Sequence, residues 1–131
     1  MPGWNFAAVW EQVAAEVPDR VALVCGETRR TWREFEARSA RLASHLSGLG
    51  VSAGESLAID LTNRIEYLEA FFAALRLGAR PANVNYRYLA DEVHYVLADA
   101  GARVCVHGPA VGAVVADAAA RLPADARPTL L

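Results

Sequence analysis

The sequence predicts an α/β fold: an open three-layer sheet with a parallel strand–helix–strand core and an N-terminal β-hairpin. Three observations carry this. First, Leu57-Ala58-Ile59-Asp60-Leu61 is a short apolar run of strand length, and Ile65, Leu68, Phe71, Phe72 and Leu75 follow at the spacing of one helical face. Gly78 stands where a left-handed cap is needed, and after Pro81 residues 82–85 extend again. Such a unit needs a crossover and parallel strands, so the helix covers one face of a sheet. Second, residues 21–25 and 28–32 are strand-like runs around Gly26-Glu27, the pattern of a tight hairpin. Third, Val104-Cys105-Val106 supplies another short strand for the parallel set.

The remaining elements follow in chain order. Phe6, Val9, Trp10, Val13 and Val17 form a helical stripe that stops at Pro18. Thr31 and Glu34 make a capping box, and the helix they open turns Phe35, Leu42, Leu46 and Leu49 inward before ending in Gly48-Leu49-Gly50. On the central helix Asn63 offers a cap, with Glu66 three residues on to reach back. If the face bearing Phe71, Phe72 and Leu75 is core, Phe71→Ala should cost about 3–5 kcal/mol. Asp91 and Glu92 suit the first turn of a further helix with Val93, Val96 and Leu97 inward and Gly101 at its end. A last Ala-rich helix spans about 110–122 with Asp117 toward solvent. Thr129-Leu130-Leu131 then resembles the first half of a buried strand, which reads as a truncated chain.

A chain of 131 residues that is 54% hydrophobic fits one domain with a real core. A net charge of −2 leaves no electrostatic footprint for nucleic acid or an anionic membrane. There is neither an apolar run of membrane-spanning length nor a signal-peptide pattern, so a cytoplasmic location is expected. Cys25 and Cys105 sit in strand-like runs and read as small buried hydrophobes rather than a disulfide. His45, His94 and His107 have no ligand-like spacing, so no metal site is expected.

All 13 basic residues are arginine. That removes Schiff-base chemistry and a phosphate-binding lysine from these residues. The glycines at 48, 50 and 54 have neither the spacing nor the strand-then-helix order of a dinucleotide fingerprint. Asp60 and Asp99 lack the carboxylate cluster and lysine of a phospho-acceptor site. One stretch exceeds what secondary structure requires. Asn85-Tyr86-Arg87-Tyr88 follows the second parallel strand, at the carboxyl edge where open α/β sheets place ligands. Arg87 could meet a phosphate there or stack on a base; the structural alternative is an arginine that pins its loop by hydrogen bonds to carbonyls.

Four segments resemble the N-terminal part of the adenylate-forming acyl-CoA synthetases, the acyl-CoA ligase and luciferase superfamily. Val17-Pro18-Asp19-Arg20-Val21-Ala22-Leu23 is similar to its first helix-to-strand junction, and Thr31-Trp32-Arg33-Glu34-Phe35 to the motif opening its next helix. Asn63-Arg64-Ile65-Glu66-Tyr67, running to Ala74-Leu75-Arg76-Leu77-Gly78-Ala79, resembles its N-x-x-E-aromatic helix. Asn83-Val84-Asn85-Tyr86-Arg87-Tyr88 is similar to the form found in fatty-acyl and related ligases.

The resemblance implies that residues 1–131 are the N-terminal α/β subdomain of such a ligase, truncated before the phosphate loop. The parent would activate a carboxylic acid, by resemblance a medium-to-long-chain fatty acid, with ATP and Mg2+, form an acyl-adenylate and pass the acyl group to CoA. The family's phosphate loop, magnesium-binding glutamate and lid lysine have no counterpart in these residues, so no catalytic residue is expected here, this chain alone is expected to be inactive and none of the three ligands is expected to bind it tightly. The same family pattern places Arg87 near the route taken by CoA, where some members carry glycine, so Arg87 is the one candidate contact to that cofactor. Self-association through uncovered surface is expected of a fragment. The competing reading is a stand-alone, non-catalytic binding or assembly module, since caps, stripes and turns are intact throughout.

Overall fold

A computed structural model describes residues 5–131. In chain order the elements are α1 (Phe6–Glu16), β1 (Val21–Cys25), β2 (Thr28–Thr31), α2 (Trp32–Gly48), β3 (Ser56–Asp60), α3 (Ile65–Arg76), β4 (Arg80–Asn83), α4 (Ala90–Ala100), β5 (Ala102–His107), α5 (Gly112–Ala120) and β6 (Thr129–Leu130). A parallel sheet runs in the order β4-β3-β5-β6, and β1 and β2 form a separate antiparallel hairpin. The predicted α/β architecture is therefore present, with its parallel core and N-terminal hairpin.

Alternation along β3 builds the three layers. Leu57, Ile59 and Leu61 join Val104 under α2 and α3, where Ala43, Leu46, Ala70, Ala73 and Ala74 pack. Ala58 faces the other way with Cys105, beneath Val93, Leu97, Val115 and Ala118 of α4 and α5. All five residues of β3 are buried, as expected of a central strand covered on both faces. Outside α2 and α3 lies a further layer, in which Trp10 of α1 meets Phe35 and Phe72 at ring-centroid distances of 5.6 and 5.1 Å.

Several local signals are realised. Thr31 and Glu34 form the reciprocal capping box of α2, with Glu34 Oε2 accepting from the Thr31 N–H at 2.8 Å. Gly26, Gly78 and Gly101 take positive φ at the hairpin turn and after α3 and α4. Thr129-Leu130 does form a strand, paired parallel to β5.

Other expectations are corrected. The N-cap of α3 is Arg64, in extended conformation and without a side-chain cap, so Asn63 lies one residue too far upstream to act. Glu66 instead accepts from Arg64 Nε at 3.3 Å. The inward face of α3 is Ile65, Ala70, Phe72, Ala73 and Ala74, because the small alanines let the helix approach both the sheet and α2. Leu68 is 38% exposed, and Phe71 and Leu75 are half-buried. On α1 the buried positions are Ala7 and Ala14 beside Trp10, while Phe6 is 67% exposed and Val9 and Val17 also face outward. The helix turns its small residues inward so that Trp10 can reach the aromatic cluster.

Similarly, Leu42 of α2 and Leu49 just beyond it are only half-buried, while Ser39 and Ala43 are buried. The strand placed at 82–85 runs from Arg80 to Asn83, and Pro81 is accommodated because β4 is an edge strand. The Ala-rich helix is shorter than 110–122, since a 3-10 turn at Pro109–Val111 precedes it. Cys25 is exposed at the end of β1, contrary to the expectation of burial. Cys105 is buried, and both thiols are free. Desolvation, aided by the nearby Asp60 charge, pushes the Cys105 thiol up to about 12.

Candidate functional site

In a parallel sheet every strand ends at the same edge, and this fold gathers Asp60 of β3, Asn83 of β4 and His107 of β5 there. Asp60 and His107 are register partners on adjacent strands. The Asp60 side chain is 1% exposed, and among the described residues its Oδ1 has no hydrogen-bond partner. Burial raises its pKa, and the neighbouring His107 acts in the opposite direction. His107 Nδ1 lies 3.0 Å from the Gly108 carbonyl, and since a carbonyl only accepts, Nδ1 carries the proton. On the other side of β3, the Tyr67 hydroxyl donates to Asn83 Oδ1 at 2.9 Å.

Residues 84–89 leave this edge as a loop leading into α4. The Val84 N–H prolongs the sheet by donating to the Ile59 carbonyl at 2.9 Å. Asn85 then makes the turn: its Oδ1 accepts from the Arg87 N–H at 3.0 Å, and its carbonyl from the Tyr88 N–H at 2.9 Å. Glu92 accepts from the Leu89 N–H at 2.8 Å and fixes the start of α4. Arg87 is exposed, with its guanidinium carbon 5.5 Å from the centre of the Tyr86 ring. Among the described residues the Arg87 side chain makes no hydrogen bond or ion pair. The structural alternative for Arg87 is thereby corrected: the side chain that pins the loop is Asn85, whose short amide reaches the backbone two residues on. The Arg87 cation, preset over an aromatic face, remains able to meet an anion.

Beside the same edge, the hairpin and the start of α3 enclose an open groove of about 380 Å³. Leu23, Val24, Ile65, Tyr67 and Leu68 line it, with Cys25 and Arg64 at one end. Burial raises the Tyr67 hydroxyl's pKa.

Asp60 and Asp99 are not brought together. Asp99 lies in the last turn of α4, which runs back toward the amino edge of the sheet. Among the described residues no three His, Cys, Asp or Glu side chains converge. Among the described residues no helix is long and apolar enough to cross a membrane. Sequence reasoning also passed over the Arg38–Glu69 pair. Arg38 Nε and Nη2 donate to the two Glu69 carboxylate oxygens, the second at 3.1 Å, and Glu69 is buried. The available signal was a glutamate inside an otherwise apolar helical face.

A doubly covered parallel sheet, an N-terminal hairpin and a loop at the carboxyl edge define an open α/β domain, the class that places ligands outside the carboxyl ends of its strands. The chain belongs to the AMP-binding enzyme family, which matches residues 10–130. It is 37% identical over 103 residues to a medium/long-chain-fatty-acid–CoA/3-oxocholest-4-en-26-oate–CoA ligase of Mycobacterium marinum, an alignment covering 79% of this chain and 19% of that protein. It is 36% identical over 129 residues to the medium-chain acyl-CoA ligase Mig of Mycobacterium avium, covering 88% and 24%. The N-terminal domain of FACL13 from Mycobacterium tuberculosis superposes with a TM-score of 0.89 at 28% identity, over 98% of this chain and 34% of that one. The chain thus spans about a fifth to a quarter of the length of these curated relatives.

Proposed function

We propose that this chain forms the opening α/β subdomain of an ATP-dependent carboxylic acid:CoA ligase working through an acyl-adenylate, with a fatty acid as substrate. The observation that carries the reading is the 37% identity to a fatty-acid–CoA ligase, sustained over 79% of the chain. In the complete enzyme ATP and Mg2+ would supply the adenylation, and CoA the thiol that accepts the acyl group. The residues present contribute scaffold and loop geometry rather than adenylating groups: all 13 basic residues are arginine, and Asp60 is buried. A cytoplasmic location belongs to the same proposal.

Replacing the matching segment of the Mycobacterium marinum ligase with this chain tests it. The expected result is a chimaera that exchanges pyrophosphate into ATP in the presence of medium- or long-chain acids, while this chain alone gives none. A folded chimaera that fails with every acid in a panel would overturn the reading.

Within it, Arg87 contacts a phosphate of CoA. The support is its exposed, aromatic-backed position at the carboxyl edge, free of protein partners among the described residues. Arg87→Ala in the chimaera should raise the Michaelis constant for CoA several-fold and leave those for ATP and the acid unchanged. Equal constants for all three substrates would remove the contact.

A further inference from the structure

The hairpin, α2 and α3 meet at a second cavity, a polar cleft of about 110 Å³ that shares Arg64 with the apolar groove. Arg30 of β2, Arg38 of α2 and Arg64 at the start of α3 line it, with Thr28, Glu66 and Cys25. Each arginine retains donors after its protein contacts are counted. Arg38 spends Nε and Nη2 on Glu69 and keeps Nη1. Arg64 spends Nε on Glu66 and keeps both terminal nitrogens. Arg30 gives only Nη1 to the Arg29 carbonyl, at 3.3 Å, and its Nε is buried with no partner among the described residues. The first turn of α3 adds backbone N–H groups that no side chain caps.

We propose that this cleft binds the phosphate of a phosphomonoester whose apolar group lies in the adjoining groove. Three guanidinium groups approach from three separate elements, which suits a tetrahedral dianion; one planar arginine fork is enough for a carboxylate. The nearby acids are already engaged: Glu66 with Arg64, Glu69 with Arg38, and Glu34, which also acts on Arg38, with the Thr31 N–H. The polar cleft and the apolar groove share Cys25, Arg64 and Ile65 in their walls, so head and tail sites are continuous. None of these residues belongs to the loop assigned to CoA, and the site stands whether or not the ligase reading holds.

The test is titration of the 131-residue chain with hexyl phosphate at constant ionic strength, following the arginine Nε–H resonances and the backbone amides. The expected result is saturable movement of the Arg30 and Arg64 signals. Affinity should fall at least tenfold in both Arg30→Gln and Arg64→Gln, with the amide spectrum showing each variant folded. Inorganic phosphate, which lacks the tail, should bind at least tenfold more weakly, and hexanoate should not compete. Arg64 is largely on the surface, so its variant reports even if Arg30→Gln unfolds. The proposal is overturned if chloride or hexanol reproduces the shifts or if affinity is unchanged in the variants. It is equally overturned if inorganic phosphate or hexanoate binds as well as hexyl phosphate.

Discussion

The two helical layers on either side of the sheet are built differently. Helices α2 and α3 are enclosed twice, by the sheet on one side and by α1 and the hairpin on the other. Helices α4 and α5 pack on the sheet and on each other, and no further layer of the described residues covers their outer sides. In consequence α3 buries six of its twelve residues, spread around its circumference, whereas α4 buries only Val93 and Leu97. Charges follow the same division. Glu69 is held inside the first layer by Arg38, and the Arg76 guanidinium bridges Glu11 and Glu36 at 3.0 and 2.9 Å while lying over the Phe72 ring. In the second layer Arg121 joins Asp91 and Asp117 at the surface, where solvent screens them. A doubly enclosed layer tolerates neither lost volume nor lost pairing, while a singly enclosed one can relax toward water.

Substitutions can break or sharpen this contrast. Phe72→Ala should be the most costly, about 3–5 kcal/mol in chemical denaturation, because the ring is fully buried among Trp10 and Phe35. Phe71→Ala should cost clearly less, since that ring is half-buried. In the opposite layer Val93→Ala should cost about 2 kcal/mol, the loss of two methyl groups with partial collapse. If Val93→Ala proved as damaging as Phe72→Ala, the distinction between the layers would fail. Glu69→Ala should cost about 1–2 kcal/mol, moderated because Arg38 is 40% exposed and can turn to water.

Asp60 gives a pH-dependent test at the sheet's centre. Its folded pKa is raised, chiefly by burial, so the folded state holds this proton more tightly than the unfolded chain. Its contribution therefore favours folding below the ordinary aspartate value of about 3.9 and is lost as pH rises through the raised value. Asp60→Asn should abolish that fall in stability across the mildly acid range, measured by denaturation at a series of pH values. The smallest effect belongs to Arg87→Ala, which should leave the denaturation midpoint unchanged because only a ring and solvent surround the side chain.

The same contrast explains which parts of the fold could be read from the sequence. For α4, packed on one side, the stripe of Val93 and Leu97 is the buried face. For α3, packed on two, a single stripe cannot describe the helix, and the large Leu68 and Phe71 yield the inner positions to alanines. The capping box of α2 was legible because Thr31 and Glu34 act within one turn. The burial of Glu69 was not, since its partner Arg38 lies 31 residues away. At the carboxyl edge the sequence offered Arg87 as the side chain that pins the loop, and the structure uses Asn85. The unpartnered Asp60 and the three-arginine cleft depend on how separate elements meet.

The two borders of the parallel sheet also differ. The Arg80 and Val84 N–H groups point inward to the Glu55 and Ile59 carbonyls, so alternation turns the amide nitrogens of Pro81 and Asn83 outward. Pro81 has no hydrogen to offer, and that border is a poor template for another strand. At the far border, Leu131 is paired inward through Cys105 and His107, which leaves the backbone groups of Leu130 directed away from the sheet. Among the described residues the two borders are therefore unlike: the one at β4 lacks the donor that Pro81 cannot supply, and the one at β6 keeps both backbone groups of Leu130.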